Sequence, residues 1–492
     1  MAIELNQIAL ADLPSGVNAP NYDRSKLTAG IVHIGVGNFH RAHQAVYLDR
    51  LFAKGRDHDW AIVGAGVKSF DNAMRERLKD QDWLTTVVEL DPNGFNATAI
   101  GSMIDFAEIN PDALIAELIK PEIRIVSLTI TEGGYYVDAK TGGFDETNPD
   151  VVADAANPGS PRTVFGILIS ALGLRKDKGI APFTVLSCDN LPENGAIARQ
   201  TVLGLADMMT PDLSEWIAEN VAFPSSMVDC ITPATSDRER DMVADKFGII
   251  DQAPVACEPF RQWVMEDHFP TGRPHLEEVG VEFVKDVAPY ELMKLRILNG
   301  GHAAIAYPSA LLGHHFVHDA MADPDIAAWL KKLITEDVIP LVPTIPGIDF
   351  NAYLAKCAER FSNPAVGDTI PRLCLDGSNR QPKFILPSIE DALKSGRPIN
   401  GLALEVAFWC RYCAETADAS KGIPLEDQRR AELQKAAIEA KERPAAFLEL
   451  EDVFGELGSN ATFADAFSEH LTYIWREGVR AALARYLEKV EA

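Results

Sequence analysis

A β-branched run that ends in two closely spaced glycines and continues as a helix opens at Gly30: Gly-Ile-Val-His-Ile-Gly-Val-Gly-Asn-Phe-His-Arg-Ala-His-Gln. Ile31, Val32 and Ile34 read as a short buried strand, Gly35 and Gly37 as a tight turn, and the helix continues through Tyr47, Leu48 and Leu51. Strand, glycine turn and helix in that order form the opening unit of a parallel α/β sheet. The N–H groups at such a helix start favour a pyrophosphate. His40 stands where a third glycine would complete G-x-G-x-x-G, and two glycines alone are a weak signal.

A second strand, Trp60-Ala-Ile-Val-Gly-Ala-Gly-Val, strengthens it. Lys68, Ser69, Phe70 and Asp71 follow its carboxyl end, where an acid meets the adenosine ribose in dinucleotide-binding folds. A carboxylate at Asp71 favours NAD, since it accepts ribose hydroxyls and repels a 2′-phosphate; Lys68 pulls the other way. The plainer role for Asp71 is to cap a helix over 72–78. Two more strands follow, in the β-branched run Ile123–Tyr135, which ends in glycines, and in the run Phe183–Gly195, with helical stretches at Asp112–Leu118 and Val164–Leu174 between the strands. Thr131, Glu132, Asp189 and Asn190 therefore fall beyond the carboxyl ends of strands, the side on which open α/β sheets bind ligands. Asn190 either donates to a substrate oxygen or closes an Asx turn before Pro192.

From Pro289 the pattern becomes helical. Tyr290, Leu292, Met293, Leu295, Ile297 and Leu298 give an apolar helix that carries Lys294, Asn299 and His302. At 3.6 residues per turn, Asn299 lies roughly 140° and His302 roughly 80° around the axis from Lys294, so the three border one pocket. A desolvated Lys294 loses charge readily and becomes a general base; the plain alternative is a solvated lysine. Further helices are expected at Asp325–Val338, Asn351–Arg360, Leu402–Ala417, Pro424–Ala440 and Asp465–Lys489. Between them, the run 371–387 gathers Arg372, Arg380 and Lys383 in an otherwise acidic region. They suit phosphates or a polyhydroxylated substrate, or else surface ion pairs.

At 492 residues the chain is long enough for two cores. The reading is an α/β Rossmann-type dinucleotide-binding domain over 1–285 and a mostly α-helical domain over 286–492. A net charge of −26 spread along the chain repels nucleic acid and anionic membranes. Residues 1–30 lack the basic start and apolar core of a secretory signal, and no apolar run is long enough to span a bilayer. With seven scattered cysteines, this makes a reducing cytoplasm the expectation. Cys410 and Cys413 form a C-x-x-C, but inside an apolar helix with Trp409 and Tyr412, where cysteine packs as a small hydrophobe. No Cys/His set has structural zinc spacing, so no metal is expected.

Gly35–Gln44, Ser127-Leu-Thr-Ile-Thr-Glu-Gly-Gly-Tyr, Ser187-Cys-Asp-Asn, Phe223–Pro233, Met293-Lys294 and Asn299-Gly300 together resemble the mannitol dehydrogenase family of long-chain, metal-independent polyol dehydrogenases. The resemblance runs over almost the whole chain, and the family's own glycine turn carries the histidine at 40. It departs at Cys230, where the pattern usually has Arg, and at Gly301, where it has Ser. The resemblance implies that Lys294 is the general acid/base and that Asn190 and Asn299 bind the reacting oxygen. It also implies that His302 and Arg372 position substrate hydroxyls, supported by Asp229 and Arg380. Gly35, Gly37, Asn38, Phe39, Asp71, Thr131, Glu132 and Val228 fall to NAD. The implied reaction interconverts a polyol and its ketose, D-mannitol and D-fructose, in a monomer or weak homo-oligomer with no nucleic-acid or membrane partner. The hexuronate branch, fructuronate reductase, shares the lysine helix and Glu258-Pro-Phe-Arg-Gln-Trp, and sorbitol or arabinitol are alternative polyols. A non-catalytic dinucleotide sensor would keep the glycine turn without the lysine and asparagines.

Overall fold

The computed structural model describes residues 2–138, 141–418, 420 and 423–488. The chain divides into two units, Met1–Ala288 and Pro289–Ala492. In the first, five strands, β1 (Ala29–Ile34), β2 (Ala61–Ala65), β3 (Met103–Phe106), β4 (Ile125–Leu128) and β5 (Thr184–Ser187), form one parallel sheet in the order β3-β2-β1-β4-β5. Both faces are covered. Ile31 points into a core with Leu48, Leu51 and Phe52, whereas Val32 and Ile34 join Leu118, Phe165 and Leu168. Strands buried on two faces read as continuous apolar runs, which is why β1, β2, β4 and β5 are visible in the sequence. The order reverses between β1 and β4, and a dinucleotide sits at such a switch point beyond the carboxyl ends.

Beside this sheet lie elements that the sequence reading passed over. Thr85–Glu89 and Asn96–Ile100 pair antiparallel and continue to Val255–Cys257 and Val17–Asn18. Edge strand β3 was also unforeseen. These strands are short and, at Asn96-Ala-Thr-Ala-Ile, lack bulky side chains. A third small sheet, Ser226–Asp229, Gln262–Glu266 and Glu282–Val284, has its first and last strands where short strands are expected from the sequence, in the runs Phe223–Pro233 and Val281–Asp286.

The second unit is helical. Asn400–Glu415 runs through its core and packs on Ala461–Glu477 and Gly300–Leu311. Cys410 and Cys413 are fully buried on it as packing groups. Three expectations need correcting. The helix expected over 465–489 is two, Ala461–Glu477 and Val479–Glu488, broken at Gly478 with φ +86°; position 489 lies outside the described residues. The helix expected from Pro424 begins at Arg430, because Asp427 is engaged by the Ser378 N–H and hydroxyl at 2.8 and 2.7 Å. The basic run forms helices of its own, Ile370–Cys374 and Gly377–Phe384. Among the described residues no helix is long and apolar enough to cross a membrane, and no cluster of three or more His, Cys, Asp or Glu is placed to hold a metal ion.

Candidate functional site

At the end of β1, Gly35 has φ +98°, and a Cβ there would lie 2.1 Å from the Thr129 carbonyl oxygen. Only glycine fits. The Thr129 hydroxyl donates to the Gly35 carbonyl at 2.6 Å, and the Gly37 N–H reaches the same oxygen at 2.7 Å. His33 braces the turn from below, with Nε2 2.9 Å from Thr129 Oγ1 and Nδ1 2.8 Å from Ser127 Oγ. His40 fills the place of the missing third glycine by stacking on His33, centroids 3.4 Å apart. Burial pushes both imidazoles down, His33 to about 3, so the stacked pair is neutral.

Above the turn is a cavity of about 610 Å³ lined by Gly35, Gly37, Asp71 and Thr131, together with Lys68, Phe70, Arg77, Asp150 and Thr163. At Gly37 the nearest atom to a built Cβ is 3.9 Å away, so the backbone there is open to a ligand. Size, glycine cradle and position at the switch point fit a dinucleotide. Four of the eight residues assigned to the cofactor thus meet in one cavity. The others are placed differently. Asn38 donates to the Pro233 carbonyl at 3.1 Å and to Thr235 Oγ1 at 3.0 Å, tying the turn to the 233–235 loop. Phe39 stacks on His43. Glu132 opens the 3-10 turn Glu132–Tyr135, and Val228 is buried in its strand.

Asp71 does not cap its helix forwards. Its Oδ2 accepts the N–H groups of Val67 and Lys68 at 3.0 and 2.9 Å, which curls the loop at that edge of the cavity. Phe70, 74% exposed, offers an aromatic face there. Asp189 is the residue whose role the sequence undersold. Its carboxylate accepts from Ile130 N–H, Thr131 N–H and the Tyr135 hydroxyl at 2.9, 2.9 and 2.7 Å. It thereby holds Thr131 at φ +65°, a conformation a β-branched residue adopts only under constraint. Asn190 follows it, exposed beyond β5. Asp229 ends the strand Ser226–Asp229 opposite Gln262.

In the second unit the lysine segment is not a plain α-helix. Ala288–Met293 is α-helical, Lys294–Asn299 is a π-turn, and Gly300–Leu311 is α-helical again. The Gly300 N–H reaches back to the Leu295 carbonyl, five residues earlier. A π-turn holds more residues than an α-turn, so the angles expected from a 3.6-residue period do not apply. Residues five apart become neighbours along the axis, which sets Asn299 one turn from Lys294. Inserted turns of this kind recur at functional sites. Lys294 is buried, and Arg296 anchors the turn to Asp391 at 2.7 Å.

His302 stacks on Phe361, centroids 4.0 Å apart, and its buried Nε2 has no partner among the described residues. Burial and the guanidinium groups of Arg372, Arg380 and Arg360 hold it well below the usual imidazole range. A neutral ring with an open nitrogen suits a hydroxyl ligand. Arg372 grips Asp368 with two bonds of 2.5 Å each. Arg380 donates to the Leu373 carbonyl at 2.8 Å, holding the backbone that carries Arg372. Arg360 and Phe361 were missed because they sit at the end of an ordinary amphipathic helix, Phe350–Phe361. At Gly301 a Cβ would meet Leu330 at 3.3 Å, so the departure from serine goes with tight packing.

Residues 29–278 match the family model described as the mannitol dehydrogenase Rossmann domain, and residues 286–475 match that of the mannitol dehydrogenase C-terminal domain. The chain is 55% identical over 473 residues to mannitol 2-dehydrogenase of Cereibacter sphaeroides, covering 96% of this chain and 99% of that one. It is 43% identical to mannitol 2-dehydrogenase of Aspergillus fumigatus, covering 98% of each. A solved structure of Pseudomonas fluorescens mannitol 2-dehydrogenase, a ternary complex with NAD and D-mannitol, matches with TM-score 0.86 and 41% identity over 99% of this chain and all of that one. A substrate-free D-sorbitol dehydrogenase matches with TM-score 0.90 and 36% identity over 98% of this chain and all of that one. With a parallel nucleotide-type sheet, a lysine π-turn and both family domains in order, the chain belongs to the mannitol dehydrogenase family.

Proposed function

We propose that the protein is an NAD-dependent polyol dehydrogenase that interconverts D-mannitol and D-fructose, with Lys294 as general acid/base. The observation that supports this most is a buried Lys294 opening a π-turn that ends at Asn299, followed on the next helix by His302 with a neutral ring and an open nitrogen. NAD held at the glycine cradle of Gly35 and Gly37 would supply the acceptor for the hydride of the carbinol carbon. Lys294 Nζ receives the hydroxyl proton in oxidation and returns it in reduction. Asn190 and Asn299 donate to the reacting oxygen as it gains alkoxide character. His302 and Arg372 orient the remaining hydroxyls, Arg380 steadies Arg372, and Asp229 supports the substrate from its strand. This chemistry needs no metal, and we place the enzyme in the cytoplasm as a monomer or weak homo-oligomer.

Purified protein should oxidise NADH with D-fructose and leave D-fructuronate untouched. Turnover of fructuronate alone would keep the fold and the lysine while moving the substrate to the hexuronates. D-sorbitol belongs in the same panel, given the likeness to a sorbitol dehydrogenase. Asp71 carries the cofactor choice in this reading. Asp71→Ala should raise kcat/KM for NADP relative to NAD by about ten- to a hundredfold, the loss of a charged hydrogen bond and of phosphate repulsion next to Lys68. An unchanged ratio would leave Asp71 only its hold on Val67 and Lys68.

A further inference from the structure

Directly after Arg380, Gln381 is fully buried, and its Nε2 donates at 2.7 Å to Oε1 of Glu405, a carboxyl with no exposed surface. Both remaining oxygens, Gln381 Oε1 and Glu405 Oε2, lack a partner among the described residues. Two buried acceptors left unsatisfied on one hydrogen-bonded amide–carboxyl pair are costly, and a single proton on the carboxyl gives them a donor to share. A carboxylic acid and a primary amide match donor to acceptor twice, and an ionised carboxylate does so once.

We propose that Glu405 carries a proton, that Gln381 Nε2–H bonds Glu405 Oε1 while Glu405 Oε2–H bonds Gln381 Oε1, and that this double bond makes Glu405 a positioning residue for the substrate-binding arginines. The pair joins the core helix Asn400–Glu415 to the helix Gly377–Phe384, which bears Arg380. Arg380 in turn holds the carbonyl of Leu373, next to Arg372. Loss of the proton puts a charge in a dry site, breaks one of the two bonds and loosens the support of both guanidiniums.

Burial supports this by pushing Glu405 up to about 8, against only the Gln381 bond. The titratable group facing it from Gly300–Leu311 is the Tyr307 phenol, itself raised by burial and by Glu405. Elsewhere on the core helix, Asp337 meets the first turn at the Gly401 N–H, His470 bonds Asn400, and Arg411 pairs with Glu415 at the last turn. Burial also raises Asp337, to about 6, which is below Glu405.

The proposal rests on the reading of Arg372 and Arg380 as substrate ligands, and the experiment separates the two. Difference infrared spectra from pH 6 to 10 should show a protonated carboxyl band that fades above about pH 8 and is missing from Glu405→Gln. KM for the ketose or polyol should rise in the wild type by about tenfold per pH unit above that point. In Glu405→Gln, whose amide keeps both bonds at every pH, this rise should vanish, whereas kcat should retain its own pH dependence. Absence of the band overturns the proton, and a KM rise shared by wild type and Glu405→Gln overturns the positioning role. Arg372→Ala at pH 7 tests the arginine reading: an unaltered KM overturns that reading and the positioning role with it, and the band still decides the proton.

Discussion

Lys294→Ala should lower kcat for polyol oxidation and for ketose reduction by about a thousandfold or more, with NADH affinity held within about threefold. A positioned general acid/base contributes roughly 10²–10⁴-fold, and a buried alanine gives solvent no substitute for it. The cavity proposed for the dinucleotide is lined by Gly35, Gly37 and Asp71 of the first unit, and the substitution leaves that lining intact. The pH dependence carries the sign. Oxidation needs Nζ without its proton, so wild-type oxidation climbs with pH, whereas reduction needs the proton and falls. Lys294→Ala should flatten both limbs. Steady-state rates in both directions, with a fluorescence titration of NADH on the same sample, check this. Turnover close to wild type would remove Lys294 from the mechanism.

That lysine shows how far the sequence reaches. Lys294, Asn299 and His302 were legible as a set because a single apolar helix carries them. Their mutual geometry was not, since a 3.6-residue period assumes i→i−4 bonding and the chain instead makes a π-turn between Met293 and Gly300. Nothing in Lys-Leu-Arg-Ile-Leu-Asn marks that choice. In the first unit, strands buried on two faces were readable as continuous apolar runs, but β3 and the hairpin 85–100 were not, because these strands are short and Asn96–Ile100 carries mostly small or polar side chains. The cavity divides in the same way. Gly35 and Gly37 announce themselves, while Asp150 and Thr163 reach it from a segment without any motif. Asp189 was visible only as an acid after a strand; its three hydrogen bonds to the 130–135 loop are a property of the fold.

Gly35→Ala and Gly37→Ala should separate folding from binding, although they are two residues apart. At Gly35 the added Cβ meets backbone, 2.1 Å from the Thr129 oxygen and 2.8 Å from its carbon. A backbone tied to β1 by the Thr129 N–H bond to the Ile34 carbonyl cannot swing away as a side chain can, and φ +98° adds a penalty of about 1–2 kcal/mol for any L-residue. Together with overpacking of about 1–3 kcal/mol, a loss of roughly 2–5 kcal/mol of stability is expected. The Thr129 hydroxyl bond to the Gly35 carbonyl goes with it, and with that bond the shape of the cradle. Gly37, at φ −89°, carries no such strain, and its Cβ would stand 3.9 Å from the nearest atom. Folding should therefore be unaffected by Gly37→Ala. The methyl would instead occupy space where a pyrophosphate approaches the backbone, and NADH affinity should fall by at least about tenfold at unchanged Tm. Thermal unfolding and NADH titration of the two variants form the test. A Gly35→Ala protein as stable as the wild type would contradict the steric account of the turn, and full NADH affinity in Gly37→Ala would move the pyrophosphate away from it.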